Sequence, residues 1–241
     1  MIKIITFQIK PYLLIGQAVE PFLKPGADWL RDVINQLMRH HRPQLVNAGI
    51  DTSIFHNHDE KTSHTMPPYP RIVYQNQNGL FLVSGIGEGA AALSALSAFY
   101  QQPTAVGAHM MIQFSQYRIQ ESEIVHTEHK TTYLISHYLA LDQKTHKQYV
   151  EATAVQKIQL LERTLKKHLV GDLFHYLGAD IGDPMVEILE VLPAEPRINT
   201  YKNHHYLSFN LVFSLDAELP DYVALGNGKA FGYGVITRVT D

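Results

Sequence analysis

His56 and His58 stand two residues apart in the polar run Phe55-His56-Asn57-His58. Imidazole titrates near neutral pH, so a paired set of this kind suits proton transfer or metal ligation. An H-x-H pair on a strand would point both rings to one side. A metallo-hydrolase run of the form H-x-H-x-D-H would then require Asp at 60 and His at 61. Glu60 and Lys61 stand there instead, and spacing offers no third ligand. Proton transfer and two solvated loop histidines both remain open from these residues alone.

Two glycine-rich stretches could bring backbone close to a ligand. Gly85-Ile86-Gly87-Glu88-Gly89-Ala90 formally fits the dinucleotide fingerprint. Its preceding strand belongs to an Asn-Gly hairpin, however, and the next twenty residues lack an acidic side chain for a ribose. A tight strand-to-helix turn fits better. Near the C-terminus, Gly226, Gly228, Gly232 and Gly234 surround Lys229, Phe231 and Tyr233. Such a loop can form a backbone nest for phosphates, with rings for stacking on bases and a cation beside them. A glycine-rich turn with inward-packed aromatics fits the same residues. His204, His205 and Arg197 gain interest only where they line the same groove as this loop.

Positioning these groups falls to an ordinary globular composition. Of 241 residues 45% are apolar and 18% charged, with net charge −3 and fourteen histidines. That balance argues against a protein that coats nucleic acid without sequence preference, and favours at most a local phosphate-binding surface. Cysteine is absent, which excludes disulfides and thiolate metal sites. No run approaches the ~20 apolar residues of a membrane span. The opening Met1-Ile2-Lys3-Ile4 reads as a strand rather than a signal peptide, so a cytoplasmic location is expected.

The first half reads strand (6–15), helix, hairpin, helix. Trp29, Leu30, Val33, Ile34, Leu37 and Met38 fall at helical spacing, with Asp28 as the expected N-cap. Residues 71–75 and 80–84 flank Asn78-Gly79, a strong hairpin signal. The Gly85–Gly89 turn opens an alanine-rich helix to about Tyr100. A closing strand near 110–117 would complete a ferredoxin-like βαββαβ unit. The second half offers strand-like segments at 111–119 and 131–141, then a helix over 154–177. Val155, Ile158, Leu161, Leu165, Leu169 and Leu173 form its apolar stripe, and its basic residues read as a solvated face. Strands at 186–192 and 206–215 follow, with Val235-Ile236 at the end. The expected fold class is α+β, with two tandem ferredoxin-like domains over 1–105 and 106–241.

Three patches in fixed order resemble one family. They are Phe55-His56-Asn57-His58 through Tyr69-Pro70 to Gly85–Gly89; Tyr138-Leu139-Ala140-Leu141 leading to Tyr149; and Leu219-Pro220-Asp221-Tyr222 through Gly226–Gly234. In these the chain is similar to the CRISPR-associated endoribonucleases that cut CRISPR repeat RNA, in the RAMP superfamily, and more narrowly to the b-type branch of the Cas-six enzymes. The resemblance implies tandem RRM-related domains and cleavage of repeat RNA without metal or cofactor. It maps the family's catalytic groups onto His56, His58 and Tyr69. It maps RNA contacts onto the terminal loop, at Gly226, Gly228, Lys229, Phe231, Gly232 and Gly234, while Lys61 would offset phosphate charge. CRISPR repeat RNA is the implied partner, with room for other effector-complex subunits and for a homodimer. The chain departs from the family pattern at His137-Tyr138, where Pro-Trp is frequent. It also has Ala230 where an arginine often precedes Gly-Phe-Gly. Two rival readings stand beside this one: a non-catalytic RNA-binding subunit, and a nucleotide-binding enzyme using the Gly85–Ala90 turn.

Overall fold

The computed structural model describes residues 2–13, 26–56, 69–77, 79–106, 110–201 and 204–239. The chain divides into two compact units, Met1–Glu121 and Ser122–Asp241.

In the first unit, β1 (Ile2–Leu13) is followed by α1 (Ala27–His40) and α2 (Arg42–Asn47). The hairpin strands β2 (Ile72–Gln77) and β3 (Leu80–Ile86) come next, then α3 (Glu88–Ser97), β4 (Thr104–Val106) and β5 (Met110–Ser122). The sheet runs β2-β3-β1-β5-β4. Without the short β4, that order and its βα-ββ-αβ connections are ferredoxin-like. The hairpin expected around Asn78-Gly79 is present, with Gln77 opposite Leu80 and Gly79 at φ +91°.

Alternation along β1 sends Ile5, Phe7 and Ile9 into a core shared with Leu30, Val33, Ile34, Leu37 and Met38 of α1. The helical stripe read from sequence is therefore the buried face. Its N-cap is Gly26, however, and Asp28 lies in the first turn, where its charge favours the helix dipole instead. Helix α3 packs tightly on the sheet because it is built of small residues. A Cβ on Gly89 would collide with the Arg71 carbonyl oxygen.

The anticipated domain division at 105/106 precedes β5, yet β5 lies beside β1 in the first sheet. The closing strand thus carries the compact unit on to Glu121. Pairing, rather than sequence position, sets this boundary.

The second unit orders β6 (His126–Tyr138), α4 (Gln143–Glu151), α5 (Ala154–His168), β7 (Val186–Tyr201), β8 (His204–Ala217) and β9 (Val235–Arg238). Its sheet runs β7-β8-β6-β9, the same relation among four strands as in the first unit. Capping boxes at Asp142/Thr145 and Thr153/Gln156 start α4 and α5. After His168 the helix widens into a π-helical stretch, Leu169–Phe174. Leu161, Leu165, Leu169 and Leu173 are fully buried as expected, whereas Val155 is 68% exposed, so the stripe begins one turn later. Residues 218–234, where a strict βαββαβ unit would hold its second helix, hold only the 3-10 turn Lys229–Phe231.

Candidate nucleic-acid interface

His56 ends a 3-10 turn, Thr52–His56, that starts with Asp51 Oδ1 accepting the Ser53 N–H at 2.9 Å. Phe55 is fully buried, and its carbonyl accepts the Tyr74 hydroxyl at 2.9 Å. Burial pushes the Tyr74 hydroxyl's pKa far up, so it stays a donor. His56 is half-buried at the end of this turn. His58 and Lys61 lie outside the described residues. Tyr69 is fully buried, where the chain resumes before β2.

The Gly85–Ala90 stretch serves packing. Gly87 N–H donates to the Lys3 carbonyl at 2.9 Å, and β3 lies between two antiparallel partners, β1 and β2. A dinucleotide turn needs a parallel βαβ setting, which this sheet does not provide. The tight-turn reading holds.

The terminal glycine loop is stitched to the end of β6. Asn227 N–H donates to the Leu139 carbonyl at 3.1 Å, and Gly234 N–H to Ser136 at 2.9 Å. Gly226 sits at φ +80° over the Tyr138 ring, where a Cβ would come within 2.7 Å of Cε2. Gly228 faces the Tyr233 ring in the same way, and that aromatic is half-buried against the loop's own backbone. Gly228, Gly232 and Phe231 are half-exposed, whereas Gly226 and Gly234 are buried. Lys229 does not project alone: its Nζ lies 2.5 Å from Asp172 Oδ2 on the π-helical stretch.

Beneath the loop, the buried Tyr138 hydroxyl meets His168 Nδ1 at 2.6 Å. Burial lowers the His168 pKa to about 4, with Asp172 partly opposing and Lys229 reinforcing the shift. Burial, and next Asp172, raise that of Tyr138 well above its ordinary value. Both groups are neutral at pH 7, and in the Nε2–H tautomer the hydroxyl donates to Nδ1.

A cleft of about 300 Å³ opens beside the same loop. His146 of α4, His204 and His205 of β8, and Asn227 of the loop all line it. The condition set for His204 and His205 is thus met. Arg197 is not in the lining; it stands near His137 and helps burial lower that imidazole's pKa. Sequence reading missed His146, Asp142, Asp172 and the Tyr138–His168 pair. Only the Asp142/Thr145 helix-start signal could have drawn attention to the first two. Among the described residues, no three His, Asp or Glu side chains assemble as a metal-binding set, and no helix is long and apolar enough to cross a membrane.

Residues 125–239 match the family model described as the Cas6b C-terminal domain. The second unit is similar to the Cas6b C-terminal domain over nearly its whole length. The chain is also similar to a solved Cas6b structure (18% identity, TM-score 0.66, covering 98% of this chain and 100% of that one). A second solved structure, of a CRISPR RNA processing endoribonuclease Cas6b, matches at 17% identity and TM-score 0.59, again over 98% and 100%. An uncharacterised protein of Methanocaldococcus jannaschii is 24% identical over 136 residues, 56% of this chain and 86% of that one. The structural likenesses show a shared fold across the whole chain, and with the domain match they support a Cas6-family protein. The Gly226–Gly234 segment, held by Tyr138, Leu139 and Asp172, lies within the matched residues.

Proposed function

We propose that the protein is a metal-independent endoribonuclease that cuts CRISPR repeat RNA to mature CRISPR RNAs. The Cas6b C-terminal domain match carries this reading. The ribose 2′-OH attacks its own adjacent phosphorus, one imidazole of the His56/His58 pair taking its proton. The P–O5′ bond breaks, and the other imidazole, protonated, gives its proton to the leaving 5′-oxygen. Products are a 2′,3′-cyclic phosphate and a 5′-OH. The nucleophile is already in the substrate, so the protein's task is alignment and proton transfer. Lys61 offsets charge on the phosphorane. Tyr69, fully buried just ahead of β2, anchors the chain at the start of the hairpin. In the terminal loop, Gly228, Gly232 and Phe231 meet the RNA, while Gly226 and Gly234 shape the turn and Lys229 fixes it through Asp172.

A repeat RNA with a 2′-deoxy ribose at the cut site tests the scheme. It should bind yet stay whole, and cutting of that substrate rules the scheme out. His56→Ala and His58→Ala should each slow cleavage by about 100-fold or more. Unchanged rates in both remove the site assignment.

The burial of Tyr69 and the Lys229–Asp172 pairing favour one second reading, a non-catalytic RNA-binding subunit of a CRISPR effector complex. Tight repeat binding with no cutting under any condition would select it.

A further inference from the structure

The cleft beside the glycine loop has a chemistry of its own. At about 300 Å³ it sits at the lower end of small-molecule pockets. Its walls come from the β6–α4 link (Leu141, Asp142), from α4 (His146), from the start of β8, and from Asn227.

The lining holds one carboxylate, Asp142, beside the amides of Gln143 and Asn227 and three imidazoles, which can donate or accept. Asp142 is held below the usual carboxylate range by the Thr145 N–H and hydroxyl, so it is ionised at neutral pH. Asn227 donates one side-chain N–H to the Leu139 carbonyl at 3.2 Å, which fixes the amide and keeps its oxygen available as an acceptor beside the second N–H. Flat rings supply the remainder. His205 is set by Thr200 Oγ1, 3.1 Å from its Nδ1, and His204, His146 and Tyr206 stand with it. No lysine or arginine belongs to the lining among the described residues, and a bare phosphate would face the Asp142 carboxylate. An unpaired base stacks on such rings and is read through its edge. Acceptors on the wall match an exocyclic amine, carried by adenine, cytosine and guanine. Uracil matches them less well: it has no exocyclic amine, and its single N3–H lies between two carbonyl oxygens that would face the carboxylate.

We propose that this cleft takes one unpaired, amino-bearing nucleotide of RNA, stacked among His146, His204 and Tyr206 with its amine directed at Asp142 and Asn227. The inference rests on the RNA-processing reading, and it gives that reading a base preference.

Fluorescence anisotropy with labelled oligoadenylate and oligouridylate tests it on the full chain. The unaltered protein should bind oligoadenylate about tenfold more tightly, as loss of one charge-assisted hydrogen bond implies. Asp142→Asn keeps an oxygen for the Thr145 N–H but adds a donor, so the preference should shrink or invert. The exposed His204→Ala, alone or with His146→Ala, should weaken both probes about tenfold, since stacking is indifferent to sequence; this variant carries the test if Asp142→Asn fails to fold. Equal binding of the two probes overturns the proposal, as does unchanged affinity in the His204→Ala/His146→Ala protein. Cutting of repeat RNA is followed in parallel. Cutting with equal probe affinities removes the cleft alone, whereas an oligoadenylate preference without cutting removes the functional reading and keeps the cleft.

Discussion

The Tyr138 hydroxyl lies 2.6 Å from Nδ1 of His168, and the Tyr138 ring forms the floor on which Gly226 rests. One buried pair therefore joins the last residue of β6, the end of α5 and the start of the glycine loop. Next to it, Asp172 and Lys229 tie the π-helical stretch to the loop's single 3-10 turn. These two links replace the helix that a strict βαββαβ unit would place between β8 and β9.

His168 makes stability depend on pH. Its folded pKa of about 4 lies below the ordinary 6.5, because burial disfavours the charged ring. The unfolded chain binds more protons between those values, so stability is full above about pH 6.5 and falls as pH drops through 4. The loss from this group is on the order of 3 kcal/mol. His41 and His137, also lowered by burial, act in the same direction. Thermal melts from pH 7.5 to 4 should show Tm falling with acid, and His168→Gln should flatten that dependence. A slope unchanged in the variant contradicts the assignment.

Tyr138→Phe keeps the ring under Gly226 and removes only the hydroxyl. It leaves His168 Nδ1 buried without this partner, at a cost of about 1–3 kcal/mol. Denaturant titration should report a lower midpoint with an unchanged slope.

Two glycines with different surroundings give a matched test of the loop. Gly226→Ala adds a Cβ at φ +80° against the Tyr138 ring, and a left-handed non-glycine residue alone costs about 1–3 kcal/mol. Gly171→Ala meets nothing within 4 Å and should be neutral or stabilising by up to about 1 kcal/mol. Melting curves of the two variants should therefore separate clearly, with repeat-RNA affinity falling only in Gly226→Ala.

Lys229 and Asp172 are 17% and 29% exposed, enough to screen the pair only partly. Removing either should cost stability, and a double-mutant cycle should find coupling of about 1 kcal/mol. If Lys229 acts by fixing the loop, Lys229→Ala leaves the salt slope of RNA binding unchanged. A slope reduced by about one would make Lys229 a phosphate contact instead.

Local signals made much of the fold legible. Asn78-Gly79 marked its hairpin, the Trp29–Met38 periodicity marked a buried helix face, and the strand near 110–117 marked the closure of the first sheet. What local pattern does not carry is pairing across distance. The expected boundary at 105/106 left that closing strand outside its own unit, and the unit's end at Glu121 became visible only with the sheet order. For the same reason Tyr138 and His168, thirty positions apart, gave no signal as a pair. The sequence left His56 open between proton transfer and a solvated loop position because its support is remote: Tyr74 holds the Phe55 carbonyl from nineteen residues away. The cleft histidines were half-legible, since His204-His205 drew notice while His146 was missed.

The central claim is metal-free cutting of repeat RNA by proton transfer. Purified protein is incubated with end-labelled CRISPR repeat RNA in excess EDTA, and the new 3′ ends are analysed. The account predicts undiminished cleavage at one position, with 2′,3′-cyclic phosphate ends and 5′-OH partners. Cleavage abolished by EDTA and restored by a divalent cation, with 3′-OH ends, would contradict it.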